Sequence, residues 1–154
     1  MLKLYKEIDG ELHYWETWET SKGKGMIHKG KVGDRGKDKE VKADYRKVID
    51  QEIERLVKED YDEITLENQH TLLIEYSLSK KENQLEVDRW KRLEELVDHA
   101  LGWTGLGHCE GYTSDEEKGT LRCKVVDFDQ AVSLLKEGLE RSAFGGYSDM
   151  KLER

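Results

Sequence analysis

No run of eighteen apolar residues occurs in the 154-residue chain, so no stretch predicts a membrane-spanning helix. The opening MLKLYKEIDG has no apolar h-region, and no secretory signal is expected there. Cysteine is scarce: Cys109 and Cys123 are the only two, too few for a disulfide framework. The expectation is a soluble, cytoplasmic protein with no membrane contact.

Motifs that carry chemistry are missing as well. The sequence has no C-x-x-C, no G-x-S-x-G, no Walker A loop and no dinucleotide fingerprint. The five histidines are His13, His28, His70, His99 and His108, and none stands at the i, i+4 spacing of a helical zinc site. His108 and Glu110 are expected together on an open sheet face, where such a pair could in principle run acid–base chemistry. A solvated polar face accounts for them more simply. The stretch Trp103-Thr104-Gly105-Leu106-Gly107 reads as a G-x-G fragment entering a strand, without the helix N-terminus that binds phosphate. No enzyme, no cofactor and no metal are expected.

Charge and aromatic residues are plentiful. Charged side chains make up 39% of the chain and apolar ones 36%. Four Trp, seven Tyr and clear apolar periodicity predict folded cores, not disorder. The net charge of −8 is uneven: residues 1–48 carry +3, residues 49–100 carry −8 and residues 101–154 carry −3. That asymmetry suggests two modules, at 1–66 and 67–154.

In the first module, Leu2, Leu4 and Ile8 predict a strand closed by the Asp9-Gly10 turn. A second strand runs through Leu12–Trp18, and Ser21 to Gly25 reads as a flexible connector. Met26, Ile27 and Val32 lead into a Gly33-Asp34-Arg35-Gly36 turn and a returning strand at Lys39–Val41. From Ala43 to Glu59 the period becomes helical, with Tyr45, Ile49, Ile53 and Leu56 on one face. The corner Lys29-Gly30-Lys31-Val32-Gly33, followed by Asp34-Arg35-Gly36, resembles that of a WGR domain over roughly residues 1–64. Lys29 stands where that family has its namesake Trp, and Lys31 where it has its Arg. The resemblance implies a small antiparallel sheet with one helix, and contacts to DNA ends or neighbouring domains.

The second module reads as βαββαβ, a ferredoxin-like arrangement of split βαβ units. Leu72, Ile74, Tyr76 and Leu78 alternate on a strand. Ser79-Lys80-Lys81 is a polar connector, and Trp90, Leu93, Val97 and Ala100 or Leu101 mark a helix from Asn83. Strands are expected at Trp103–Tyr112 and Thr120–Val126. Asp127 is a predicted N-cap with Gln130 as its reciprocal partner, opening a helix with Phe128, Val132, Leu135 and Leu139 inward. Gly145-Gly146 ends that helix before a last strand in Ser148–Glu153. A hairpin symmetric about residue 116 sets Cys109 opposite Cys123, as buried free thiols. The fold class is α+β throughout.

The residues expected to contact a partner or nucleic acid are Lys22, Lys24, Lys29, Lys31, Arg35 and Lys37, with Trp15 and Trp18 as stacking surface. Between Thr20 and Lys42 the net charge is +5, enough to seat a phosphate backbone. A chain of net −8 is repelled by nucleic acid at long range, and lysine cannot replace the planar fork of arginine. The open face of the second module, with Leu73, Glu75, His108, Glu110, Arg122 and Lys124, presents no rings for base stacking. It suits a protein partner or a homodimer. The leading expectation is a non-enzymatic binding protein acting on another protein, similar in composition to immunity or adaptor proteins. Nucleic-acid backbone binding is the alternative.

Overall fold

Asp9 and Gly10 adopt φ of 52° and 80°, the paired positive dihedrals of the two-residue turn that matches strand twist. They join β1 (Leu2–Ile8) to β2 (Glu11–Ser21), with Leu4 opposite Trp15. The structure is a computed structural model; it describes residues 2–78 and 87–154. By Cα packing the chain divides into two units, Met1–Thr65 and Leu66–Arg154. Both are α+β, each with a four-stranded antiparallel sheet.

In unit 1, β2 passes directly into β3 (Lys24–Lys31). Ser21 pairs with Lys24, so the expected flexible connector is a tight hairpin closed by Gly23 at φ 76°. After the glycine-rich corner, β4 (Lys37–Val41) completes the order β1-β2-β3-β4. The helix α1 (Tyr45–Lys58) starts without a side-chain cap. Its first amide instead donates to the Gly23 carbonyl at 3.2 Å, which ties the helix to the β2–β3 hairpin. Leu4, Trp15, Ile27, Val41, Tyr45, Ile49 and Leu56 form the core between helix and sheet. Each large apolar side chain buried there stabilises the unit by about 1.5–3 kcal/mol. Beyond α1 the chain returns to the free edge of β1, where Tyr5 and Asp62 exchange both backbone hydrogen bonds, at 2.8 and 2.9 Å.

Unit 2 follows a short 3-10 turn at Leu66–Asn68. Its elements are β5 (His70–Ser77), α2 (Val87–Trp103), β6 (Gly107–Ser114), β7 (Lys118–Val125), α3 (Phe128–Glu140) and β8 (Asp149–Leu152). The strand order β6-β7-β5-β8 is that of two split βαβ units. Leu72, Ile74, Tyr76, Leu121, Cys123 and Val125 alternate onto one fully buried face. Trp90, Leu93, Val97 and Leu101 of α2, with Ala131, Leu135 and Leu139 of α3, complete the core. Ala131 takes the deep position on α3, while Phe128 and Val132 are half-buried. Asp127 caps α3 through Oδ1, which accepts from the Gln130 amide at 3.0 Å. The Gln130 side chain returns to Asp127 Oδ2 at 2.9 Å and not to the backbone. The Ser79-Lys80-Lys81 connector and the expected helix start at Asn83 lie outside the described residues.

Three local readings change in unit 2. α3 ends at Glu140, with Arg141 as its C-cap, ahead of the Gly145-Gly146 pair expected to end it. Trp103 is the last residue of α2 and not the start of a strand. Gly105 at φ 68° closes the helix, and the Leu106 amide donates back to the Leu101 carbonyl at 2.9 Å. The hairpin after it is longer than expected, since β6 runs to Ser114 and turns through Asp115–Glu117. Asp115 Oδ1 accepts from the amides of Glu117 and Lys118, each at 2.8 Å.

Candidate functional site

The basic residues of unit 1 fall into two groups at opposite ends of β3. Lys22 and Lys24 sit at the β2–β3 hairpin tip, both exposed. Lys29, Lys31, Arg35 and Lys37 sit at the corner end, about 20 Å away along an eight-residue strand.

At the corner end, register places Lys29 directly opposite Lys37, with Ile27 opposite Lys39. Alternation sets Lys29, Lys31, Lys37 and Lys39 on one face, the face that carries Trp15 and Ile27. Lys31 pairs with Glu11 at 3.0 Å, and that hydrogen bond raises its pKa. No ion pair among the described residues involves Lys29, Lys37 or Lys39. Like charges directly opposed across a ladder destabilise it, so the pair raises the energy of the free protein.

The corner is held from the opposite face by side chains that no motif in the sequence marks. His28 is 0% exposed and Glu16 4%. His28 Nδ1 meets Glu16 Oε1 at 2.6 Å, while its Nε2 donates to the Arg35 carbonyl. Tyr14 donates its hydroxyl proton to the Asp34 carbonyl at 2.9 Å, and its oxygen lies 3.2 Å from His28 Nε2. Lys3 Nζ takes the other Glu16 oxygen at 3.0 Å. Burial pushes the Tyr14 hydroxyl pKa up, with Glu16, Asp34 and Asp38 adding to the shift, so it stays a donor. Gly36, at φ 69°, has no room for a side chain against the Lys29 carbonyl and the Tyr14 hydroxyl. Gly30 is equally confined, since a Cβ there would lie 2.7 Å from Gly36 Cα. These groups shape the corner and expose none of their own chemistry.

The hairpin end has a different character. A cleft of about 380 Å³ opens there between α1 and the sheet, lined by Leu2, Thr17, Trp18, Glu19, Tyr45, Arg46, Ile49 and Ile53. Thr17 Oγ1 and the Tyr45 hydroxyl meet at 2.8 Å in its wall. Leu2 and Ile53 are half-buried, and Arg46 is exposed on the rim. Trp18 is half-buried, and strand alternation directs it with its register partner Met26, also half-buried, to the reverse face. Trp15, by contrast, is 2% exposed inside the core. Its ring is closed to any base or partner, which removes it from the expected contact set.

In unit 2 the open face is crossed by ion pairs. Glu75 receives Lys151 at 2.7 Å and Lys118 at 3.5 Å, and Arg122 joins Glu153 at 2.5 Å and Glu110 at 3.6 Å. Lys124 donates to Thr71 Oγ1 at 2.7 Å. The hydrogen bond from Lys151, reinforced by Lys118, lowers the Glu75 pKa below its ordinary value of 4.5. Among the described residues, no three His, Cys, Asp or Glu side chains gather closely enough to hold a metal ion. No helix there is long and apolar enough to cross a membrane. Comparison with protein-family models, with curated proteins and with solved structures gives no match to this chain.

Proposed function

We propose that this is a non-enzymatic binding protein whose partner is another protein, engaged at the hairpin end of unit 1. The observation that carries the reading is the cleft beside α1. It combines an apolar floor of Leu2, Ile49 and Ile53 with Tyr45 and a rim arginine, Arg46. Tyr and Arg are among the side chains over-represented where protein partners bind tightly. Lys22 and Lys24 lie on the adjoining hairpin, whose Gly23 carbonyl accepts from the Tyr45 amide, and they would favour an acidic rim on the partner. On the open face of unit 2, Glu75 already pairs with Lys118 and Lys151, and Arg122 with Glu110 and Glu153.

A second reading rests on a separate observation, the opposed Lys29 and Lys37 with Lys31 and Lys39 beside them. Four ammonium groups on one exposed sheet corner suit a phosphodiester backbone, contacted as point charges without sequence readout. The WGR-like reading of unit 1 belongs with this alternative. It is supported by the K-G-K-V-G-x-x-G corner and by the order of four strands and a helix.

Affinity purification of the tagged full chain from its host separates the two. The wild type, Arg46→Glu and the double variant Lys29→Glu/Lys37→Glu are compared with and without nuclease. A protein recovered in stoichiometric amount, retained by the double variant and lost with Arg46→Glu, is the expected result. Bound material that nuclease removes and the double variant loses would establish the second reading instead.

A further inference from the structure

The β6–β7 hairpin carries a thiol pair that neither reading uses. Cys109 and Cys123 are register partners, and their sulfurs lie 3.4 Å apart. A disulfide needs about 2.05 Å, so the two sulfurs must close by a little over one ångström. Opposed residues of an antiparallel ladder already have Cα separations within the range disulfides span. The strand can also move. β6 is an edge strand paired with β7 alone, and its ladder slips just after Cys109, leaving Glu110 as a bulge before Gly111 at φ 130°. Cys109 is partly exposed, whereas Cys123 is fully buried. Of the pair, Cys109, whose thiol also donates to the Glu94 carbonyl of α2 at 3.7 Å, is the residue that borders solvent; Cys123 borders none.

We propose that Cys109 is a modification site for low-molecular-weight disulfides, with Cys123 as the resolving thiol that closes an intramolecular bond. The Cys109 thiolate attacks one sulfur of the reagent. The reagent's S–S bond breaks, one thiolate leaves and takes up a proton, and a mixed disulfide remains on Cys109. The Cys123 thiolate then attacks the Cys109 sulfur, and the second reagent thiolate leaves and is protonated. Two protein thiols are thereby oxidised and one small disulfide is reduced to two thiols. The Cys123 thiol and burial push the Cys109 pKa up, with Asp98 and Glu94 on α2 adding to it. Thiolate is therefore scarce at neutral pH, and the first step quickens about tenfold per pH unit.

The full chain is incubated with oxidised glutathione across a pH series, quenched with acid, and read by intact mass and peptide mapping. The wild type is expected to lose two hydrogens, with the Cys109 and Cys123 peptides linked. Cys123→Ser should stop at one glutathione adduct on Cys109, and Cys109→Ser should stay unmodified. The linked peptides are read from the wild type, so the result does not depend on either variant folding. A wild type that keeps glutathione on Cys109 without closing, or that stays reduced while the denatured chain reacts, overturns the proposal.

Discussion

Replacing His28 with alanine tests how the glycine-rich corner is held. The ring is fully buried, with Nδ1 2.6 Å from a Glu16 oxygen and Nε2 on the Arg35 carbonyl. Removing it deletes a hydrogen bond to a carboxylate, worth about 1.5–3 kcal/mol, and strands a buried acceptor at a further cost of about 1–3 kcal/mol. Lys3 stays on the other Glu16 oxygen and limits the loss, so about 3–5 kcal/mol is expected for unit 1. Small domains have only about 5–15 kcal/mol in total, and one of this size lies toward the lower end. A single melting curve would merge the two units. Hydrogen exchange read by peptide resolves them, with β5 and β7 serving as an internal reference. Protection in β2 and β3 should fall by roughly 10² to 10⁴, since 1.4 kcal/mol is about tenfold. A loss below about tenfold, or one shared equally by β5 and β7, would refute the assignment of His28 as the tie that holds the corner.

Three further outcomes follow from the same geometry. Gly36→Ala places a Cβ in the left-handed region against the Lys29 carbonyl and should destabilise unit 1 by about 2 kcal/mol, seen in the same exchange experiment. Lys29→Glu turns the like-charge pair with Lys37 into an opposite-charge pair and should stabilise unit 1 by about 0.2–1 kcal/mol at low salt, read as a shift in the urea midpoint. Glu75 has a lowered folded pKa, so the stability it contributes is present above its ordinary value of 4.5 and is lost as pH falls through the folded value. Glu75→Gln should therefore flatten the acid-side decline of unit 2, measured as protection of β5 between pH 5 and 3.

Period-two alternation made β1, β2, β5 and β7 legible, and the Asp127 cap made α3 legible, because both signals are local. What escaped depends on pairings that sequence does not spell out. His28 reads as one histidine among five until register sets it beside Glu16, so the buried network behind the corner had no local signature. Trp103 reads as the start of a strand because Gly105 and Gly107 obscure where the helix stops; the left-handed Gly105 marks that stop. A hairpin symmetric about residue 116 predicts the Cys109–Cys123 pairing. Near the turn the true centre lies between Glu116 and Glu117, with Ser114 opposite Gly119, and the bulge at Glu110 restores the expected register at Cys109. The same bulge turns Tyr112 toward α2, where its ring stacks on Trp90 at 5.1 Å, although simple alternation would send it to the open face. At the candidate site, composition showed that basic residues cluster between Thr20 and Lys42. Only strand geometry shows that they divide between two ends of one sheet.

The measurement that bears most directly on a partner protein at the hairpin end is hydrogen-exchange protection of the full chain upon adding the partner recovered from its host. Protection of the Glu19–Met26 hairpin and the first turns of α1, around Tyr45, Arg46 and Ile49, is the predicted result. Protection confined to Lys29–Lys39, or to unit 2, would contradict it.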